Sequence, residues 1–178
     1  MKLLRLAPAK FIHFGTTTEI LSLMSTGVHA YDALSWRPRI NSSIQGETAG
    51  YNSVLSSHAT IGANCYLEVS FVHRQATIGN NVLLSYIDIH DETVPDNVVL
   101  HGLKQKNGKF VCRIYDIHDN PKETKLFGRE LSEVQKTLDV QESELWDTKN
   151  HTLWMANFYP ECDSIKEAEI GRASCRER

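Results

Sequence analysis

The sequence has no long apolar run, no block of basic residues and no closely spaced pair of cysteines. Its uninterrupted apolar stretches are short, as at residues 98–100, whereas roughly 18 apolar residues are needed to cross a bilayer. No extended apolar run follows the basic residues near the start, so no signal peptide is predicted. We therefore expect a cytoplasmic protein that has no membrane partner.

The sequence also lacks an excess of positive charge, because its formal net charge is −3. A nucleic-acid partner is therefore not expected. Four cysteines are present, Cys65, Cys112, Cys162 and Cys175, and none forms a C-x-x-C motif, so neither a zinc site nor a disulfide framework is indicated. With 41% hydrophobic and 23% charged residues, the composition is that of an ordinary globular protein, which excludes disordered and collagen-like chains.

A repeat of about seventeen residues is the strongest pattern that is present. Aliphatic residues recur at Ile44, Ile61, Ile78 and Val94, in steps of 17, 17 and 16 residues. A repeat of this length with three short apolar segments predicts one turn of a parallel β-helix, with three strands in each coil. The aliphatic residues would point inward and stack about 4.8 Å apart along the axis.

A second column supports the repeat, since Ser53, Ser70 and Ser85 each begin a short apolar run. We predict that the β-helix spans residues 40–103. The alternative is a series of antiparallel hairpins, which would require strict alternation and more turn dipeptides than the single Asn107-Gly108.

The corners of the predicted coils are expected to hold Gly62, Gly79 and the neighbouring asparagines. Glycine and asparagine tolerate backbone angles that disfavour bulky side chains.

The segment before the repeat predicts a strand over residues 10–14 that ends at Gly15. Thr16 and Glu19 then match a capping box at the start of a helix. This helix should run to about residue 25 and be closed by Gly27.

After the repeat, residues 110–117 are expected to pair with residues 100–104 across the Asn107-Gly108 turn. A short amphipathic helix is predicted over residues 131–138. The aromatic-rich pieces that follow indicate packing.

The last nine residues hold three arginines and no apolar periodicity, and they resemble a sequencing adapter translated in frame. The arginines and one glutamate of this tail add +2, which leaves −5 for the rest. A genuine basic tail is the alternative. We expect the natural chain to end near Glu169 and to be an internal fragment. The expected division is residues 1–39 for the end of an α/β domain with its linker, 40–103 for the β-helix, 104–169 for a hairpin and mixed segment, and 170–178 for the artefact.

No complete catalytic constellation is present, because GxGxxG, P-loop, G-x-S-x-G and H-E-x-x-H motifs are all missing. We therefore predict no catalytic residue and no metal ligand. Four histidines lie on or beside the predicted coils: His58, His73, His90 and His101. His73 and His90 are 17 residues apart, but the register that aligns His73 with Asp88 leaves no histidine ladder. Structural or solvent-facing histidines are expected.

Polar residues cluster in residues 117–122 (IHDNPK), next to a predicted strand end. Such a cluster is typical of a turn in which Asp and Asn satisfy backbone amides. A functional turn that uses Asp119, Asn120 and Lys122 is the alternative.

The strand-Gly-Thr-helix unit is the most informative local feature. A helix N-terminus with free amides behind a short turn suits a phosphate or a sugar hydroxyl. We therefore predict that the unit over residues 13–19 binds substrate, with Gly15, Thr16 and Thr17 as the binding residues at the start of the helix.

Four segments together carry a family resemblance: residues 13–17 (HFGTT), 61–65 (IGANC), 117–122 (IHDNPK) and 153–160 (LWMANFYP). They resemble the fucose-1-phosphate guanylyltransferases, or GDP-fucose pyrophosphorylases, and the corresponding half of bifunctional fucokinase/GDP-fucose pyrophosphorylases. The resemblance implies a mainly β fold: a left-handed parallel β-helix of hexapeptide-type coils. The last strand-helix unit of an α/β nucleotidyltransferase domain precedes it, and a mixed α+β segment follows.

The resemblance further implies a function in L-fucose salvage, the transfer of GMP from GTP to β-L-fucose-1-phosphate with release of pyrophosphate. It implies Mg²⁺ as cofactor of the parent protein and a fucokinase domain if the parent is bifunctional. Many related enzymes hold the metal with an Asp where this sequence has His13, so His13 is expected to hydrogen-bond the sugar or its phosphate instead. The glycine-rich nucleotide loop is missing, so we expect this fragment to be inactive alone and to hold no bound cofactor.

Two other functions stay open. A hexapeptide-repeat acyltransferase would need further coils and an extruded loop, which the sequence does not show. A structural or assembly module, whose β-helix organises the catalytic domain or a homo-oligomer, is compatible with the enzyme family. Sugar and base specificity follow from the resemblance alone.

Overall fold

The computed structural model describes His13 and residues 15–25 and 48–174. The first helix and the strands of the coils are α1 (Thr17–Met24), β1 (Ala49–Tyr51), β2 (Val54–Leu55), β3 (Thr60–Ile61), β4 (Tyr66–Glu68), β5 (Phe71–Val72), β6 (Thr77–Ile78), β7 (Leu83–Ser85), β8 (Asp88–Ile89) and β9 (Thr93–Val94). The later elements are β10 (Val98–Lys104), β11 (Phe110–Asp116), β12 (Lys125–Leu126), β13 (Arg129–Glu130), α2 (Leu131–Leu138), α3 (Glu142–Leu145), a 3₁₀ turn (Leu153–Met155) and α4 (Ile165–Ser174).

The strands from β1 to β9 form three coils of a parallel β-helix. Strands β1, β4 and β7 pair in one sheet, β2, β5 and β8 in a second, and β3, β6 and β9 in a third. Ile61 pairs with Ile78 and Ile78 with Val94, as the repeat predicted. The predicted parallel β-helix is therefore confirmed, and its first residues, 40–47, lie outside the described residues.

The interior of the β-helix is a stack of aliphatic side chains. Leu67 pairs with Leu84 in the next coil, and Leu84 with Leu100. All three are at most 1% exposed, and Val72 and Ile89 of another sheet are fully buried. Each buried leucine contributes roughly 1.5–3 kcal/mol of hydrophobic stabilisation, so neighbouring coils stabilise one another.

The predicted column of serines, Ser53, Ser70 and Ser85, is correct for the first two coils and wrong for the third. The Ser53 hydroxyl accepts the amide N–H of Ser70, but Ser85 pairs with Glu68. The step of seventeen continues here, so the position above Ser70 is Ile87, whose N–H reaches the Ser70 hydroxyl at 3.3 Å.

The asparagines at the corners of the coils adopt the left-handed backbone conformation, as predicted. The glycines are required for a different reason. Asn64, Asn81 and Asn97 have φ of 55°, 54° and 62°. Gly62 and Gly79 are not left-handed; instead, a Cβ on Gly62 would lie 2.6 Å from the carbonyl carbon of Gly79. The two glycines are therefore needed for the close approach of coils, not for their backbone angles.

The β-helix ends in a hairpin. Strand β10 extends the sheet of β7 in parallel and pairs antiparallel with β11, from Val98 with Asp116 to Lys104 with Phe110. The turn contains Gly108 at φ 87°. The predicted pairing is confirmed, and β10 belongs to both the β-helix and the hairpin.

The predicted helix over residues 131–138 is confirmed as α2. Its Leu131 is 2% exposed and forms a small separate core with Leu145 and Trp146. Helix α4 packs on β10 and β11 and continues to Ser174, so it enters the tail that the sequence assigned to an adapter. The proposed chain end near Glu169 stays a prediction.

Helix α1 begins with the predicted capping box and ends at Met24. Its Leu21 is buried against Ala49 and Tyr66 of the β-helix. The predicted strand over residues 10–14 and the closing Gly27 lie outside the described residues, apart from His13. None of the described helices is long and apolar enough to cross a membrane.

Candidate functional site

Three segments that are distant in the sequence meet at one pocket of about 140 Å³, which we call the junction pocket. They are the start of α1, the turn after β11 and the segment around the 3₁₀ turn. Its principal lining residues are Thr17, Arg113, Tyr115, Asp119, Trp154 and Tyr159. Three of the four segments that carry the family resemblance therefore contribute to one site.

The backbone amides at the start of α1 are already bonded to a carboxylate of the same helix. The Glu19 carboxylate accepts the N–H of Gly15 at 2.9 Å and of Thr16 at 3.0 Å, and the Thr16 hydroxyl accepts the N–H of Glu19 at 3.2 Å. His13 Nδ1 lies 3.3 Å from the same carboxylate. Hydrogen bonds to the carboxylate hold the pKa of Glu19 below its ordinary value; the largest effect is that of the Gly15 N–H, and His13 and Thr16 contribute less. Two amides predicted to bind substrate are thus occupied by a carboxylate.

Arg113 is the cation among the described residues that line the junction pocket. It lies on β11 opposite His101 and is exposed. Its charge helps to lower the pKa of His101, although burial of the imidazole is the larger cause. An exposed guanidinium beside a small pocket is suited to a phosphate group, which it can bind through two N–H donors.

Two tyrosines form the wall of the pocket around Arg113. The Tyr159 hydroxyl donates to the Ile114 carbonyl, and the Tyr115 hydroxyl contacts the Thr17 side chain. Burial raises the pKa of both phenols. Both tyrosines therefore stay protonated at neutral pH and present neutral hydroxyls.

The IHDNPK segment folds as the turn that its composition indicates. Asp119 Oδ2 accepts the N–H groups of Asp116 at 2.8 Å and Phe127 at 3.0 Å. Asn120 Oδ1 accepts the N–H of Lys122 at 3.1 Å. Asp119 also lines the junction pocket, whereas Asn120 and Lys122 are exposed elsewhere in the turn. A functional role for these three residues stays a prediction.

Trp154 is the most exposed large apolar residue of the described chain, at 68%. Its backbone N–H donates to the Pro121 carbonyl at 2.8 Å, which joins the 3₁₀ turn to the IHDNPK turn. An indole held at the mouth of a pocket offers a flat apolar face to a sugar ring or a base.

Arg113, Tyr115 and Tyr159 were missed by sequence analysis. One available signal was the strand alternation of β11, which places residues 113 and 115 on one face next to the polar turn. Tyr159 lies in residues 153–160, which carry the family resemblance but no chemical motif that marks a tyrosine.

The carboxylates at this site do not by themselves form a magnesium site. Mg²⁺ takes carboxylate oxygens in an octahedral arrangement, but here one oxygen of Glu19 and one oxygen of Asp119 each accept two backbone N–H groups, which leaves the second oxygen of Asp119 to the pocket. Among the described lining residues, Asp119 is the one carboxylate of the pocket. We assign no metal-dependent step to these residues.

The prediction that no histidine ladder forms is wrong. His73 N–H donates to the Ile89 carbonyl, so His73 lies opposite His90, not Asp88. The two imidazoles stack with ring centroids 4.1 Å apart. The register of β5 and β8, which pairs Phe71 with Asp88, causes this arrangement.

The fold places the chain among the parallel β-helix proteins, with a phosphate-compatible pocket beside the coils. Residues 1–164 match the family model described as the Fucose pyrophosphorylase domain, and the chain belongs to this family. The family name implies a nucleotidyltransferase of the pyrophosphorylase type, whose substrates are in general a nucleotide and a sugar phosphate. No curated protein and no solved structure shows a significant match.

Proposed function

We propose that this chain is part of a fucose-1-phosphate guanylyltransferase and that the junction pocket binds fucose-1-phosphate. One observation supports the proposal: the start of α1, the IHDNPK turn and the LWMANFYP segment converge on a pocket that holds an arginine. A phosphate and a sugar ring are the chemical groups that Arg113 and Trp154 are suited to bind.

The proposed reaction requires no covalent enzyme intermediate. An oxygen of the sugar phosphate attacks the α-phosphorus of GTP, and the bond from that phosphorus to the oxygen bridging to the β-phosphate breaks. The products are GDP-fucose and pyrophosphate. Positioning and charge neutralisation therefore constitute the main contribution of the protein.

Within this proposal, each group of the pocket has one role. Arg113 neutralises the sugar phosphate, and Trp154 packs against the pyranose ring. Asp119 Oδ2 is occupied by two amides, so the other carboxylate oxygen is the one that accepts a sugar hydroxyl. Contacts from His13 and the amides of Gly15 and Thr16 would require Glu19 to move away.

The parent protein is proposed to use Mg²⁺ and to act in the cytoplasm, and a kinase domain in the parent is part of the same hypothesis. Assembly through the β-helix into a homo-oligomer is a separate proposal. The molecular mass of the chain in solution tests it.

Binding of fucose-1-phosphate tests the role of Arg113. We expect a titration of the ¹⁵N-labelled chain to shift the Trp154 indole and the Arg113 side-chain signals. R113A should weaken binding by about tenfold or more, as a charge-assisted hydrogen bond contributes about 1.5–3 kcal/mol. Inorganic phosphate should bind more weakly than the sugar phosphate and shift mainly the arginine.

The matched control is R129A, which removes an exposed arginine that does not line the junction pocket. Unchanged affinity in R129A and weaker binding in R113A would support the proposal. Equal affinities of R113A and the original chain, or shifts confined to residues outside the junction pocket, would refute it.

A further inference from the structure

A second cluster lies on the outside of the β-helix and shares no residue with the junction pocket. It consists of His73, Asp88 and His90, and we call it the histidine-aspartate cluster. His73 Nε2 lies 2.7 Å from Asp88 Oδ1, and His90 Nε2 lies 3.5 Å from Asp88 Oδ2. The Nε2 atoms of the two histidines therefore both face the Asp88 carboxylate.

The repeat itself creates this cluster. Strand β8 lies one coil away from β5, and His90 directly follows β8, two residues after Asp88. The side chains of Asp88 and His90 are on the same side, as their contact shows. His73 occupies the equivalent position to His90 in the preceding coil. The stacked rings are almost parallel, with an interplanar angle of 15°.

The backbone around the cluster is fixed by hydrogen bonds. The N–H of His73 donates to the Ile89 carbonyl at 2.8 Å, and the N–H of Asp88 donates to Glu169 Oε1 at 2.9 Å. Val72 and Ile89, the residues next to the two histidines, are fully buried in the core. Asp88 lies in β8, and His73 and His90 are the residues that directly follow β5 and β8, so all three donors are positioned by strands whose backbone is held in place.

We propose that His73, Asp88 and His90 bind one divalent cation of the zinc class. Two imidazole nitrogens and a carboxylate oxygen are ligands that Zn²⁺ prefers, and three protein ligands leave one position open. The ligand atoms lie within 4.8 Å of one another. Zinc bonds of about 2.0–2.1 Å place tetrahedral ligand atoms roughly 3.3 Å apart, so rotations of these three side chains complete the site.

The exposure of the cluster fits an ion that enters from solvent. The side chains of His73, Asp88 and His90 are 36%, 48% and 57% exposed. His73 and His90 line an open surface depression together with Arg74 and Asp91, whose charges are opposite. The ion would connect the second coil to the third through side chains and would need no change in the backbone.

Zinc binding by the full 178-residue chain tests the proposal, with ZnCl₂ as the probe after removal of metal with a chelator. We expect one equivalent to bind with micromolar or tighter affinity and to raise the melting temperature. H73A, H90A and D88N should each weaken binding by about tenfold or more. Co²⁺ should give a visible absorption spectrum that these variants lose.

The matched control is H118A, which removes an exposed histidine outside the cluster. Circular dichroism checks that each variant is folded. The proposal is overturned if zinc binds only at millimolar concentration, if H73A and H90A bind as tightly as the original chain, or if H118A loses as much affinity as they do. Fucose-1-phosphate is absent from these measurements, so their outcome is independent of the proposed function.

Discussion

At the scale of single residues, glycine and asparagine have different structural roles at the corners of the coils. The asparagines adopt left-handed backbone, and their amides bond to each other, from Asn64 to Asn81 at 2.8 Å and from Asn81 to Asn97 at 2.9 Å. Gly62 and Gly79 leave room for the next coil. Substitution of the two residue types should therefore fail for different reasons.

Gly79→Ala should destabilise the β-helix by about 2–3 kcal/mol, the upper part of the range for overpacking. The added Cβ would lie 2.6 Å from the backbone nitrogen of Asp96 and 2.8 Å from the carbonyl carbon of Pro95, and neither is the flexible end of a side chain. Urea unfolding measures the change.

Gly128→Ala is the control for Gly79→Ala. Gly128 has φ 71° and no neighbour within 4 Å of an added Cβ, so only backbone strain of about 1 kcal/mol is expected. A Gly79 variant that is as stable as the Gly128 variant would contradict the close-approach explanation.

At the scale of elements, α1 illustrates how a cap competes with a ligand. Glu19 is tethered three residues from Thr16, and its carboxylate occupies the amides that a phosphate would need. An anion that binds there must displace a group which is always present at high local concentration.

Glu19→Ala should accelerate hydrogen exchange at the amides of Gly15 and Thr16 by about fivefold, which corresponds to about 1 kcal/mol for a lost cap. Glu19→Gln keeps an acceptor oxygen of the capping box and should have a smaller effect. Amide exchange measured by NMR tests both variants. Equal protection in the alanine variant would show that the carboxylate is not the group that holds these amides.

The elements also show which features could be predicted from the sequence. The inward column, the hairpin and α2 depend on local periodicity and turn chemistry, and these were correct. The predicted alignment of His73 with Asp88 was wrong because it assumed a step of 15 residues between the two coils, whereas β5 and β8 keep the step of 17. The turn between β5 and β6 has four residues, 73–76, whereas the turn between β8 and β9 has three, 90–92. A deletion after His90 leaves His73 and His90 aligned, and sequence spacing alone does not locate it.

At the scale of the whole molecule, the junction pocket was beyond sequence analysis because it joins segments about a hundred residues apart. The motifs identified Thr17 and Asp119, but Arg113 lies in an ordinary strand pattern. Its importance follows only from the position of β11 beside the start of α1.

The chain alone should not make GDP-fucose from GTP and fucose-1-phosphate in the presence of Mg²⁺. The 178 residues contain no glycine-rich nucleotide loop, so the sugar phosphate should bind without turnover. Pyrophosphate release measures activity, with an active fucose-1-phosphate guanylyltransferase as the positive control. Release above the protein-free blank, accompanied by GDP-fucose, would contradict this expectation.

The hairpin at the end of the coils has a consequence for self-association. A stack of parallel coils presents the same unpaired strand edge at its end, and such an edge can template the addition of another chain. Strand β11 runs opposite to β10, is paired at Phe110 with Cys162 and packs against α4. This sheet therefore ends on a reversed strand, which does not offer the parallel edge that a further coil would extend, and part of its outer edge is already paired.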